Sequence, residues 1–217
     1  MYPKIIGQPA LRDVMAIAYN GGVDPESLTT VHLRSASPEL IIYHHTARDS
    51  RISFDELVRS VLQRKDSHGN RWRTGYNCVI MPSGDACSFC RWDRYGNHAQ
   101  GLNKRSLGLA FHGNFEPGTS VPGANAAGRY GPITPTAVQL DSGARVIALW
   151  CFLYQIRPDF KNAIIPHNKI AKTACPGSGF PHIELKKLIR SYFDQWSASL
   201  KIQRQIREFA KFPYLFP

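Results

Sequence analysis

Apolar positions along the chain change spacing in a way that separates strands from helices. Glu39-Leu40-Ile41-Ile42-Tyr43-His44-His45 is a continuous β-branched and apolar run, which predicts a strand buried on both faces. Tyr76 to Met81 predicts a second strand, stopped by the turn Pro82-Ser83-Gly84-Asp85. A third is expected over Ala86 to Arg91, and a fourth over Ser106 to His112, closed by Gly113-Asn114. Between the first two strands, Ser53 precedes Glu56 by three residues, and Leu57, Val61 and Leu62 share a helical face. That is a capped amphipathic helix. Thr134-Pro135 predicts an N-cap with proline at the first helical position, opening a largely buried helix through Val146 to Leu153. Asn162 to Pro166 reads as a short extended segment. A last amphipathic helix starts near His182, with Leu185, Leu188, Ile189, Tyr192, Phe193 and Trp196 at helical spacing.

The flanks are less regular. Residues 1–38 form a mixed lead-in with one short helix expected around Leu11 to Tyr19. Residues 116–133 are rich in glycine and proline and predict a long loop, either a lid on a groove or inert. From His182 onward there are seven Lys/Arg and three Asp/Glu, a net of +4. The tail beyond residue 197 can be a helix packed on the domain or a wall- or membrane-surface anchor. With no internal repeat and no long linker, the organisation expected is a lead-in over 1–38, one body over 39–196 and a basic extension over 197–217. A chain of 217 residues can bury roughly 70% of its unfolded surface, so one self-sufficient core is expected, as a monomer.

Charge and cysteine usage narrow the function classes. The net charge of +11 favours a polyanionic partner: nucleic acid, anionic lipid or an acidic cell-wall polymer. The basic residues are scattered, no nucleic-acid motif accompanies them, and no nucleic-acid partner is expected. No run reaches the ~18 apolar residues of a membrane span, so no transmembrane segment is expected either. Met1-Tyr2-Pro3-Lys4-Ile5-Ile6-Gly7 has no sustained apolar stretch behind it, and no secretory signal peptide is expected. Five cysteines, at 78, 87, 90, 151 and 175, do not suggest a disulfide framework. The lone CxxC at Cys87 and Cys90 lacks the second pair of a zinc ribbon.

The residues suited to chemistry lie elsewhere. His44 ends a buried strand beside His45, and neighbours on a strand point to opposite faces. His167 and Cys175 stand in the segment Pro166-His167-Asn168-Lys169-Ile170-Ala171-Lys172-Thr173-Ala174-Cys175-Pro176-Gly177, spaced for a loop folding over a common point. Two histidines and one cysteine offer three ligands and leave a fourth tetrahedral position open, as catalytic rather than structural zinc requires.

Five segments in order carry a resemblance. Tyr43-His44-His45-Thr46-Ala47 resembles the strand-end "HHTA" of the zinc-dependent amidases related to animal peptidoglycan-recognition proteins and phage amidase lysozymes. Gly75-Tyr76-Asn77 is similar to that family's "GYN/GYH" strand, and Asn97-His98-Ala99-Gln100-Gly101-Leu102-Asn103 to its "HAxGxN" loop. Ser106 through Phe115 resembles "SIGIAFxGNF", and His167 through Gly177 the closing "H…TxCPG".

The resemblance implies an α/β fold, a single domain with a central mixed β-sheet flanked by helices and zinc at the floor of a groove. It implies an N-acetylmuramoyl-L-alanine amidase, which hydrolyses the amide between muramic acid and L-alanine of peptidoglycan. The alternative is a muropeptide-binding module of the same fold that does not cut. By position, the ligands of Zn2+ would be His44, His167 and Cys175, and the catalytic positions Tyr76 and Thr173. His98 and Asn103 are expected either to contact substrate or to brace their loop. Trp72, Arg73 and Arg91, with Trp92, lie close in sequence to the groove motifs and are expected at the substrate, because aromatics and cations suit a sugar-peptide bearing carboxylates. His98 is also a candidate proton carrier; His45 is expected to be structural, and His112 and His182 to be surface or packing residues. The missing disulfide of animal members points to a bacterial or phage origin, an endolysin or an antibacterial effector with an immunity protein. Such a protein would be made in the cytoplasm and act on the wall after lysis or specialised export, or on recycled muropeptides inside the cell.

Overall fold

The computed structural model describes residues 4–7, 12–13, 32–65 and 68–211. Among the described residues, six strands form one sheet: β1 (Arg12–Asp13), β2 (Leu40–His45), β3 (Cys78–Ile80), β4 (Ala86–Ser88), β5 (Ser106–Phe111) and β6 (Ile164–Pro166). Their order is β1-β4-β3-β5-β2-β6. The β3–β4 pair is antiparallel and the other pairs are parallel, so the sheet is mixed. The helices are α1 (Phe54–Leu62), α2 (Ala137–Leu153), α3 (His182–Ser197) and α4 (Leu200–Phe209).

The continuous apolar runs of β2 and β5 sit at the centre because helices or loops cover both of their faces. On one face, Ile41, Tyr43, Leu107, Leu109 and Phe111 join α2, α3 and α4 in the main core. On the other, Val79 and Ala110 meet Phe54, Leu57, Val58 and Val61 of α1, while Ile42 packs with Ala99 and Ile165. Ser106, Gly108 and Ala110 of β5 alternate with its large residues. They keep the second face shallow, and the chemistry is placed there.

Several expectations shift. The turn at 82–85 ends β3 as expected, but Tyr76 precedes the strand and Cys90 follows β4, so both strands are shorter. The N-cap of α2 is Thr136, two residues later than Thr134: Thr136 and Gln139 form a reciprocal capping box, and Thr136 also donates to the Pro82 carbonyl. Gln139 is buried and donates to the carbonyls of Ile80 (2.8 Å) and His112 (3.0 Å), tying α2 to the strand ends. Arg12–Asp13 pairs with β4 as a strand rather than opening a helix; the rest of the expected 11–19 helix lies outside the described residues.

The flanks join the core. Ile5 is fully buried in it, and Ile206 and Phe209 of α4 are buried at the other end, where Phe209 stacks on Trp92 at 6.0 Å between centroids. The 116–133 loop is folded on itself about buried Asn125, whose amide donates to the carbonyls of Asn114 and Gly131 while its oxygen accepts from the Tyr130 N–H. No described helix is long and apolar enough to cross a membrane.

Candidate functional site

The register of two parallel strands brings the histidines together. Ile42 pairs with Ile165 and Tyr43 with Pro166, so the next residues on each strand, His44 and His167, leave the sheet side by side. Their ring centroids are 4.5 Å apart. His167 then enters a single 3-10 turn, His167–Lys169. The chain returns at Cys175, which receives the Asn168 N–H on its carbonyl (2.8 Å). Cys175 Sγ lies 3.7 Å from His44 Nδ1 and accepts the backbone N–H of His45 at 3.4 Å. Among the described residues, His44, His167 and Cys175 form the His/Cys/Asp/Glu group able to hold a metal, with donor atoms all within 4.8 Å of one another.

The donor set fits zinc. Bonds of about 2.0–2.3 Å at tetrahedral angles put neighbouring donors roughly 3.3–3.6 Å apart, so the three atoms need shifts of about an ångström or less. Burial holds His44 well below the ordinary histidine range and lowers His167 too, which keeps lone pairs available. Burial pushes the Cys175 thiol up to about 12, while the His45 N–H pulls the other way. A thiolate here therefore calls for a cation beside it.

The loop carrying Cys175 is anchored from outside. Gly177, at φ +100°, passes so close to the Phe115 carbonyl that a Cβ would lie 2.3 Å from it. Glu116 accepts from the Ser178 N–H and Oγ, both at 2.9 Å, and from the Gly118 N–H at 2.7 Å. His45 turns away from the cluster: its Nδ1 accepts the Phe115 N–H at 3.1 Å and its ring packs on Phe115. Burial pushes its pKa down to about 4.

Around the cluster opens a groove of about 1240 Å³. His44, His167 and Cys175 line it together with Tyr76, Thr173, His98, Asn103, Trp72 and Arg73. The Tyr76 ring centroid is 5.2 Å from that of His44, and burial raises the phenol pKa with the Cys175 charge adding, so it stays protonated. Thr173 is exposed, and its Oγ1 accepts the Cys175 N–H at 3.2 Å. Asn103 braces the 97–103 loop, its Oδ1 accepting the N–H groups of His98 (3.0 Å) and Ala99 (2.8 Å). Trp72 carries the Arg64 guanidinium over its ring at 5.4 Å.

Two expected substrate residues sit elsewhere. Arg91 is not among the groove-lining residues; its guanidinium is engaged by Asp93 at 2.7 and 2.9 Å. Trp92 is fully buried in the core against Trp150 and Phe209. No residue of the 116–133 loop lines the groove, so it is not a lid over it. His112 is buried and bonded to Thr46 and the Ile52 carbonyl, and His182 to the Tyr43 hydroxyl. Sequence reasoning missed Arg64, Lys65, Arg71 and Lys172, which with Arg73 give the lining five cations and no carboxylate. The signal was present in the basic residues that flank Trp72 along the chain. It also missed Asn77, whose Oδ1 accepts the Gly108 N–H and whose amide donates to the Arg91 and Arg94 carbonyls, fixing β3 to β5 beneath the groove.

Comparison with known proteins agrees with this geometry. The Amidase_2 family, described as N-acetylmuramoyl-L-alanine amidase, matches residues 34–178. Peptidoglycan-recognition protein 2 of Holotrichia diomphalia is 28% identical over 141 residues, 64% of this chain and 66% of that protein. The chain thus spans just under two thirds of that relative's length. Among solved structures, the N-acetylmuramoyl-L-alanine amidase LysC from Clostridium intestinale superposes with a TM-score of 0.58 at 22% identity, covering 84% of this chain and 99% of that one. A Drosophila PGRP-LB mutant in complex with tracheal cytotoxin superposes at 0.56 and 17% identity, covering 95% and 96%. Since the matched span holds the central strands, the His–His–Cys cluster and nearly all of the groove lining, the chain belongs to the N-acetylmuramoyl-L-alanine amidase family.

Proposed function

We propose that the protein is a zinc-dependent amidase that cleaves the bond between N-acetylmuramic acid and L-alanine of peptidoglycan. The observation that carries this reading is the convergence of His44, His167 and Cys175 donor atoms within 4.8 Å on the floor of a groove that Tyr76 also lines. All three ligand positions are filled, where a recognition module needs none of them.

His44, His167 and Cys175 would hold the ion. When bound, zinc supplies Lewis acidity, acidifying a water and polarising the amide carbonyl. The chain's own residues do the rest. Tyr76 is kept protonated by burial and donates its hydroxyl to the oxygen on which charge develops, where one such donor is worth ~3 kcal/mol at the transition state. Thr173 accepts from the Cys175 N–H, which leaves its own proton for a substrate oxygen. Arg73, Arg71 and Lys172 attract the carboxylates of the stem peptide, and Trp72 offers an apolar face. That a structural neighbour was solved in complex with tracheal cytotoxin supports a muropeptide ligand here. Reaching the wall after lysis or by a specialised export route belongs to the same reading.

The test is to incubate the zinc-loaded protein and its Cys175→Ala variant with purified sacculi and analyse products by mass spectrometry. Release of stem peptides and peptide-free glycan by the parent alone supports the amidase. If sacculi stay intact, soluble muropeptides are offered next; binding without cleavage of either would replace this reading with the recognition module.

A further inference from the structure

His98 lies beside the ligand His44, and both of its ring nitrogens are engaged. His98 Nδ1 is 3.1 Å from His44 Nε2, and His98 Nε2 is 3.3 Å from Ser106 Oγ. The direction of this chain can be read from its far end. Ser106 Oγ is 2.7 Å from the Leu102 carbonyl, which can only accept, so the single hydroxyl proton of Ser106 goes there. Ser106 Oγ must then accept from His98 Nε2–H. A neutral imidazole that donates from one nitrogen accepts at the other, so His98 Nδ1 accepts from His44 Nε2–H. His44 is thereby left with a bare Nδ1, the atom that faces Cys175 Sγ at 3.7 Å.

The fold gives His98 this place by subtraction. A Cβ on Gly108 would meet the His98 ring at 2.4 Å, so the ring lies flat against bare backbone of β5. Asn103 holds the His98 backbone from the other side. Ser106 and Gly108 are on the same strand face, two residues apart, so β5 both supports the ring and supplies its acceptor.

We propose that His98, backed by Ser106, is a positioning residue that locks His44 in the Nε2–H tautomer and so presents Nδ1 to the metal. This rests on the zinc reading above, and it removes His98 from the free proton carriers, since neither nitrogen is open to substrate. Outer partners of this kind are typically worth 10–100-fold in metal affinity.

Two measurements test it. In the zinc-free protein, two-bond 15N–1H correlation spectra of the imidazoles are expected to show His44 and His98 both protonated at Nε2. His44 protonated at Nδ1 would overturn the proposal, whether or not zinc binds. By chelator competition, His98→Leu should lose 10–100-fold in zinc affinity and Ser106→Ala a smaller factor. His98→Asn, whose amide oxygen can accept where Nδ1 does, should recover much of the loss, and Ser106→Thr should match the parent. Circular dichroism and thermal melts check the fold of each. A folded His98→Leu variant with parental zinc affinity would refute the proposal while Cys175→Ala still abolished binding. A parent that binds no zinc would instead refute the metal reading, with the tautomer still read directly. Should His98→Leu not fold, Ser106→Ala carries the test: mixed His44 tautomers and weakened zinc binding are expected, and a single retained tautomer with parental zinc affinity would refute the relay.

Discussion

Tyr43 of β2 pairs with Pro166 of β6, and this one register places His44 and His167 at adjacent strand ends. A slip of one residue would turn His44 to the opposite face of the sheet, into the α2–α4 core. The juxtaposition of the two histidines is therefore a consequence of strand pairing, and Cys175 is delivered to them by a loop anchored elsewhere.

Tyr76→Phe removes a protonated donor and little volume. Activity should fall by 10²–10³ in kcat, with KM and zinc content near those of the parent. Steady-state kinetics on a defined muropeptide, with metal analysis of the same samples, checks this; parental kcat would remove Tyr76 from the chemistry.

Glu116 ties the Cys175 loop to the strand-end loop through Ser178 and Gly118. Glu116→Ala should cost ~2 kcal/mol in urea unfolding, the order expected for hydrogen bonds to a buried charged acceptor. It should also weaken zinc binding, because the loop that holds Cys175 loses its anchor. Parental stability would show that Gly177 packing alone suffices.

Three histidines near the centre, His44, His45 and His98, are held neutral by burial, with pKa values well below the ordinary range, about 4 and about 3 respectively. In the unfolded chain each titrates near 6.5. Above that pH both states are neutral and the full stability is present. Between about 6.5 and 4 the unfolded chain takes up protons that the folded one refuses, so stability falls as pH falls. The slope is ~1.4 kcal/mol per pH unit for each histidine. Urea midpoints of the zinc-free protein should thus drop from pH 7 to pH 5, and a flat profile would contradict the neutral assignment.

The groove lining holds five cations and no carboxylate. Substrate binding should weaken several-fold as salt rises from about 0.05 to 0.5 M, because the Debye length shortens well below 10 Å. Arg73→Ala should raise KM and flatten that salt response with kcat little changed, while Arg91→Ala should leave both alone. An Arg91 effect equal to that of Arg73 would contradict a groove that Arg73 lines and Arg91 does not.

Phe209 is 5% exposed and stacks on Trp92, so Phe209→Ala should cost ~3–4 kcal/mol of stability. Leu200, at the start of the same helix and 87% exposed, should tolerate serine. Thermal or urea unfolding separates the two; equal, small effects would return the tail to the status of an appendage.

The elements that announced themselves in the sequence are those whose signals are local. The Ser53–Glu56 box, the apolar run of β2 and the periodicity from His182 each report on neighbours within a turn or two, and each stands where the spacing put it. The motifs from His44 to Cys175 were legible because the ligand types and their order survive in one dimension. Other features waited on three. Tyr76 leaves the strand that its apolar neighbours predicted, and Thr136 caps α2 because Gln139 answers it. Arg91 and Trp92 follow one another in sequence, yet one pairs with Asp93 and the other is buried against α2 and α4. His44 meets Cys175 across 131 positions and His98 across 54. Such contacts exist only once strand register has been chosen, and register is set by how whole faces bury against α1 and α2. The sequence by itself determined which side chains could bind a metal; tertiary structure alone decided that Nδ1 is the nitrogen of His44 that faces Cys175 Sγ.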